Sequence, residues 1–217
     1  VSQGTPPGHA PPAPEPPPAG WLRIQCRPGK AEGHLVFPYQ LTNGGPLPVL
    51  AMDAWPRSAA GADPVADPQC AQVVLRPDGV AVLGKYVPAL ADAARPVVPP
   101  VPLCTLIKPG ETIERELRVR LPFAEQNANI PEAVLSRYEP AEVKGLVFAI
   151  GWWPINQAGI AAAPWRWAPD YQIVHPLARL PQAGSAQQRF PTNKLEILRR
   201  RDAFPRAIPV HPDLEAG

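Results

Sequence analysis

From Trp21 onward, apolar and polar residues alternate in short runs, the period-two pattern of half-buried β-strands. In Leu22–Cys26 the residues Leu22, Ile24 and Cys26 share a face. Leu35, Phe37, Tyr39 and Leu41 do the same, with Gln40 and Thr42 opposite, before Asn43-Gly44-Gly45-Pro46 supplies a turn. Residues 48–53 read as a short third strand. Residues 73–75 and 80–83 flank Arg76-Pro77-Asp78-Gly79, where Asp-Gly can take the positive φ angles of a tight hairpin. Leu103–Ile107 leads into the turn Lys108-Pro109-Gly110-Glu111 and then residues 112–121, where Ile113, Leu117, Val119 and Leu121 alternate with Glu114, Glu116, Arg118 and Arg120. A helix there would strand Val119 on the polar face, and Pro109 and Pro122 bracket the segment. A strand is therefore expected, with its Glu and Arg residues forming a solvated face of ordinary ion pairs.

Residues 129–138 carry the best helix signal, with Pro131 at a first helical position and Pro140 soon after the end. Residues 143–153 are apolar on both faces, as a central strand covered on both sides should be. About eight strands, turn signals between them and one short helix predict an all-β fold, an immunoglobulin-like antiparallel β-sandwich over residues 21–153. The intervals 54–69 and 87–102 are too long and too rich in Pro and Ala for tight hairpins, and are expected to be ordered excursions over the sandwich ends. Beyond Pro154 the alternation fades. Residues 154–217 read as an extended Pro/Trp-rich tail that wraps the domain or a neighbour, with one short helix near 193–201 capped by Asn193, Glu196 reaching back.

The ordered set Leu41-Thr42-Asn43, Asp78-Gly79-Val80 and Leu106-Ile107-Lys108-Pro109-Gly110-Glu111 resembles small bacterial immunoglobulin-like domains of the intracellular proteinase inhibitor (BsuPI) type. The resemblance covers about residues 35–121. It implies the sandwich fold, and proteinase inhibition as one possible activity. This chain departs from the pattern by long insertions at 54–69 and 87–102 and by its polar loop after Asn43, and no functional residue is carried over.

Composition changes this picture at the two ends. Of 217 residues, 34 are proline, which excludes long helices. Hydrophobic residues make up 45% and charged residues 18%, enough apolar surface for one core. Eight prolines fall within residues 1–20 and make that stretch a polyproline II tether. The chain starts at Val1 and enters this Pro/Ala tract, as expected of a mature periplasmic or secreted chain from which a signal peptide or lipid-anchoring start has been removed. A net charge of +2 argues against nucleic acid as a partner. No apolar run reaches the length of a transmembrane helix.

Candidate chemistry is sparse. Cys26, Cys70 and Cys104 lack zinc-ligand spacing, and Cys70 with Cys104 can form a disulfide stapling the central loops; three buried reduced cysteines are the equal alternative. The four histidines (His9, His34, His175 and His211) stand apart from other ligand types, so no metal or other cofactor is expected. Nucleophile elbows, P-loops and dinucleotide fingerprints are absent, which points to a non-enzymatic protein. Trp152, Trp153, Trp165 and Trp167, with Tyr171, form an aromatic concentration suited to a protein interface or to stacking on a glycan. Its alternative is a tail that folds back and packs the indoles on the sandwich. Arg199, Arg200 and Arg201, with Lys194 and Arg206 nearby, make a positive cluster for an acidic partner or peripheral contact with anionic lipid, or a solvated helix end. The function expected is a binding or structural subunit of a bacterial envelope or secreted assembly.

Overall fold

The computed structural model describes residues 20–57, 62–87, 101–126, 137–155, 160–175, 184–192 and 195–201. Every regular element among them is a β-strand. The expected tether at 1–20, apart from Gly20, and most of the expected helix at 129–138 lie outside the described residues. Tyr138, the last residue of that expected helix, opens a strand instead.

One sheet contains four strands: β1 (Leu22–Cys26) and β2 (Gly29–Ala31) lie along one side of β3 (His34–Asn43), and β9 (Thr112–Arg120) lies along the other. The alternation read from the sequence sets which side chains face inward: Phe37, Tyr39 and Leu41 are buried, while Pro38 and Gln40 are exposed. The predicted strand at 112–121 forms as β9, in unbroken antiparallel register with β3 from Thr112 to Arg120.

The larger sheet has nine strands. Its centre is β12 (Gly145–Pro154), buried along its whole length as its two apolar faces require. On one side β12 pairs with β15 (Gly184–Phe190); on the other it pairs first with β7 (Val80–Lys85) and then, near its end, with β4 (Val49–Arg57). Beyond β7 comes β6 (Gln72–Leu75), and the β6–β7 hairpin turns at Asp78-Gly79 with Gly79 at φ 85°. Beyond β4 come β8 (Leu103–Ile107), β14 (Ala168–His175) and β13 (Ala161–Trp165), while β5 (Val65–Asp67) folds back on β4. A three-stranded sheet joins β10 (Phe123–Ala124), β16 (Leu195–Arg200) and β11 (Tyr138–Val143).

The main core lies between the four-stranded and nine-stranded sheets. Phe37 stacks on Phe148 at 5.1 Å, and Tyr39 meets the same ring edge-on. Leu35, Leu41, Leu83, Leu117, Ile150 and Trp152 fill the space around them. Truncating a buried ring such as Phe148 to alanine typically costs about 3–5 kcal/mol.

Three sequence expectations are corrected here. The sheets are mixed rather than purely antiparallel, because β7 and β12, and likewise β10 and β16, run parallel. The segment after Pro154 is not simply an extended tail: β13, β14 and β15 add to the large sheet and cover hydrogen-bonding edges that would otherwise be open. The helix at 193–201 is a strand over Leu195–Arg200. Leu195 and Ile197 alternate into the core, and β10 and β11 supply hydrogen-bonding partners on both sides, which outweighs the local capping signal.

Candidate functional site

Two charged residues occur inside otherwise apolar strands, and the fold brings them together. Along β7, Ala81 and Leu83 face the core, so period two carries Lys85 inward as well. Gly84 before it is held at φ +152°, and a Cβ there would lie 1.9 Å from the Ala149 carbonyl oxygen on β12. Only glycine lets the two backbones approach this closely.

On β4 the register slips between Met52 and Ala54, leaving Asp53 as the extra residue of a bulge. The bulge also switches the parity of the strand, so that Trp55 joins Leu50 and Met52 on the far face of the sheet. Both oxygens of the freed Asp53 carboxylate accept hydrogen bonds. Lys85 Nζ donates to Oδ1 at 3.3 Å, while Thr105 Oγ1 and Arg115 Nε donate to Oδ2 at 2.7 and 2.8 Å. Lys85 Nζ also donates to the Tyr39 hydroxyl at 3.2 Å.

Exposure of the Lys85 and Asp53 side chains is 1% and 4%, against 38% for Arg115. Burial alone would push the Asp53 carboxyl up; Lys85, Thr105 and Arg115 together reverse this and hold it below the usual range. Burial pulls the Lys85 ammonium down, and Asp53 opposes that pull. With all three groups ionised, the cluster carries one excess positive charge, and Arg115 is the member that reaches solvent.

Above this cluster, the four-stranded sheet carries an open cleft of about 1000 Å³. Its lining comes from one row across β1, β3 and β9, including Gln25, Tyr39, Gln40, Glu114, Arg115 and Glu116, with Gln188 of β15 at the rim. Gln40 Nε2 donates to Glu114 Oε1 at 2.8 Å. Gln188 closes the gap between the two sheets, its amide accepting from Cys26 N at 2.7 Å and donating to Cys26 O at 3.1 Å. Other polar side chains serve the backbone in the same way. Glu125 accepts from the backbone N–H groups of Leu75 and Arg200, and Asn43 ties the β3–β4 turn to Ile107 O. The turn motifs at Asn43 and Gly110 thus meet in space, with Gly110 N donating to Asn43 O.

The tryptophans do not form one platform. Trp152 lies in the main core against Trp21, and Trp153 points to the opposite face, as strand alternation demands. Both are buried, because that second face is covered too. Trp165 is buried beside Ala54 and Leu103, Tyr171 is half-buried, and Trp167 remains 38% exposed in the β13–β14 turn. There Arg166 stacks over the Trp167 ring at 3.7 Å, and the indole N–H donates to Asp63.

The arginine cluster is dispersed. On a strand, neighbouring side chains leave on opposite faces, so Arg200 is buried, Arg199 half-buried and Arg201 exposed, its Nε paired with Glu139 at 2.6 Å. Lys194 and Arg206 lie outside the described residues.

Of the two equal alternatives for the cysteines, the structure shows the free thiols, with no Cys70–Cys104 disulfide. Cys104 is buried among Leu50, Met52 and Trp153, and Cys70 packs against the same cluster. Burial pushes both thiols up, with Asp53 adding to the effect at Cys104 and Asp67 at Cys70, and this suppresses the thiolates that disulfide exchange needs. Among the described residues no group of His, Cys, Asp and Glu could hold a metal ion. No described helix is long and apolar enough to cross a membrane.

Comparison with protein-family models, with curated proteins and with solved structures finds no match for this chain. Sequence reasoning missed the Asp53–Lys85–Arg115 cluster. Its signal was available, as a lone Asp within Ala51-Met-Asp-Ala-Trp55 and a lone Lys within Val82-Leu-Gly-Lys-Tyr86.

Proposed function

We propose that this protein is a non-enzymatic binding or structural subunit of a bacterial envelope or secreted assembly, built on an immunoglobulin-like sandwich. One observation carries the reading: the interior groups with reactive potential are already committed to holding the fold. The Asp53 oxygens accept from Lys85, Thr105 and Arg115, Glu125 caps two backbone N–H groups, and the thiols are raised by burial. What is left open is a surface, the cleft across β1, β3 and β9, which polar and apolar side chains line together above the Asp53–Lys85–Arg115 cluster. The Pro-rich residues 1–20 suit a spacer between such a domain and an anchor.

Photo-cross-linking residues placed at Gln25, Gln40 and Glu114 test this in envelope fractions of the native host. A discrete adduct of one partner from these positions, and none from Val65, is expected. No adduct from any of the cleft positions, or turnover of an ester, glycoside or peptide substrate that survives repurification, overturns the reading. Glycan binding has weaker support, because three of the four clustered indoles are buried and Trp167 alone offers an exposed ring.

A further inference from the structure

Among the described strands, the free side of β9 is the longest sheet edge that carries no proline and no break in register, ahead of β15 with seven residues. Edge strands present unpaired N–H and C=O groups, and proteins blunt them with proline, bulges or short length. In a chain with 34 prolines, β11 holds Pro140, β13 holds Pro164, and β5 has three residues. β9 has nine residues, no proline and no break in register.

In an antiparallel strand the N–H and C=O of one residue point to the same side. Arg118 N and Glu116 O point away from β3, which assigns the outward groups to Glu114, Glu116, Arg118 and Arg120. Two side chains meet them among the described residues. Gln69 accepts from Arg118 N at 2.7 Å and donates to Glu116 O at 3.3 Å, and Arg115 Nη1 donates to Glu114 O.

The charges on this edge are antisymmetric about Leu117. Glu114 and Glu116 precede it, and Arg118 and Arg120 follow. We propose that β9 pairs antiparallel with β9 of a second copy across a two-fold axis at Leu117, making one continuous sheet through both molecules. Glu116 then stands opposite Arg118 of the second copy, and Glu114 opposite Arg120. These are also the residues whose backbone groups face the new strand, so hydrogen-bonding register and charge register coincide. A strand of unrelated sequence would not match both. Such an interface is isologous and closes at two copies. Gln69 occupies part of the edge in the single chain and Arg115 Nη1 holds Glu114 O, so the Gln69 amide must swing away and Arg115 must share that carbonyl when the strands pair. This self-association does not depend on any partner reached through the cleft.

Sedimentation velocity over a concentration series tests the proposal on the wild type, Gln69→Ala, Arg118→Glu, Glu116→Arg and the double variant Glu116→Arg/Arg118→Glu. The wild type is expected to dimerise, more weakly as salt rises, and Gln69→Ala to tighten the dimer. Each single reversal places like charges opposite one another twice across the two-fold axis and should weaken association roughly tenfold; the double variant restores complementarity and should regain it. Monomers at every concentration for both wild type and Gln69→Ala, or a dimer indifferent to the single reversals or not recovered by the double variant, overturn the proposal. Amide exchange in the unmutated protein needs no variant to fold. The Glu116 and Arg120 amides should be slowed as concentration rises, and concentration-independent exchange there overturns it as well.

Discussion

The interior cluster around Asp53 and the outer face of β9 are built from the same kinds of side chain and obey different physics. On β9, the Arg118–Glu116 pair at 2.7 Å is about half exposed on both sides, and water competes for both partners. Asp53 and Lys85 are both buried, so neither can be lost without leaving the charge of the other stranded. Arg115 belongs to both regions, reaching from β9 to the buried carboxylate. Close approach alone therefore says little about what an ion pair contributes; burial of the partner decides it.

The largest expected effect comes from breaking the interior cluster on one side. Asp53→Ala leaves the Lys85 ammonium buried without its carboxylate and should cost about 3–5 kcal/mol in urea denaturation. The paired replacement Asp53→Leu/Lys85→Met removes both charges and should recover most of that loss. A double variant no more stable than Asp53→Ala would show that the cluster acts through more than charge compensation.

Next comes the glycine that permits the approach of β7 to β12. Gly84→Ala forces its Cβ onto the Ala149 carbonyl and should cost about 1–3 kcal/mol, read as a lowered thermal midpoint with the fold retained. If the midpoint is unchanged, β7 does not lie against β12 as closely as described.

A smaller effect distinguishes the regions by pH. Asp53 is held below its ordinary value of 3.8, so its stabilising contribution is complete above that value and is lost as pH falls through the lower folded one. Arg115→Gln removes one of the groups holding it down and should move the acid loss of stability to higher pH. An acid transition that stays in place would mean that Lys85 and Thr105 suffice. On β9 itself, Glu116→Gln should change monomer stability by less than about 1 kcal/mol in the same denaturation experiment.

The strands were largely legible because burial on one face imposes alternation. Leu22–Cys26 and Leu103–Ile107 form as read, and Val119 with the bracketing prolines marks the strand that forms over Thr112–Arg120. The 143–153 run was seen as central, although it divides at Lys144 into β11 and β12. The C-terminal third was misread for a physical reason. Segments such as Ala161–Trp165 and Gly184–Phe190 have weak alternation, and they become strands because β14 and β12 offer them backbone hydrogen bonds. Local sequence cannot display a partner that lies far along the chain. The tryptophans failed as a platform on the same account: Trp152 and Trp153 do leave on opposite faces, but the covering of both faces is a tertiary fact.

By itself, the sequence determined that the fold is dominated by β-strands, where the Asp78-Gly79 hairpin turns, and which positions of β3 and β9 face inward, since these follow from local backbone preference and period two. Tertiary structure decided what charge does. A bulge at Met52–Ala54 and a glycine at 84 bring Asp53 and Lys85 within 3.3 Å inside the sandwich, and no local pattern encodes that meeting. Glu114, Glu116, Arg118 and Arg120 on β9 stay in water because they leave on the uncovered outer face of their sheet, whereas Arg115 leaves on the other face and reaches Asp53.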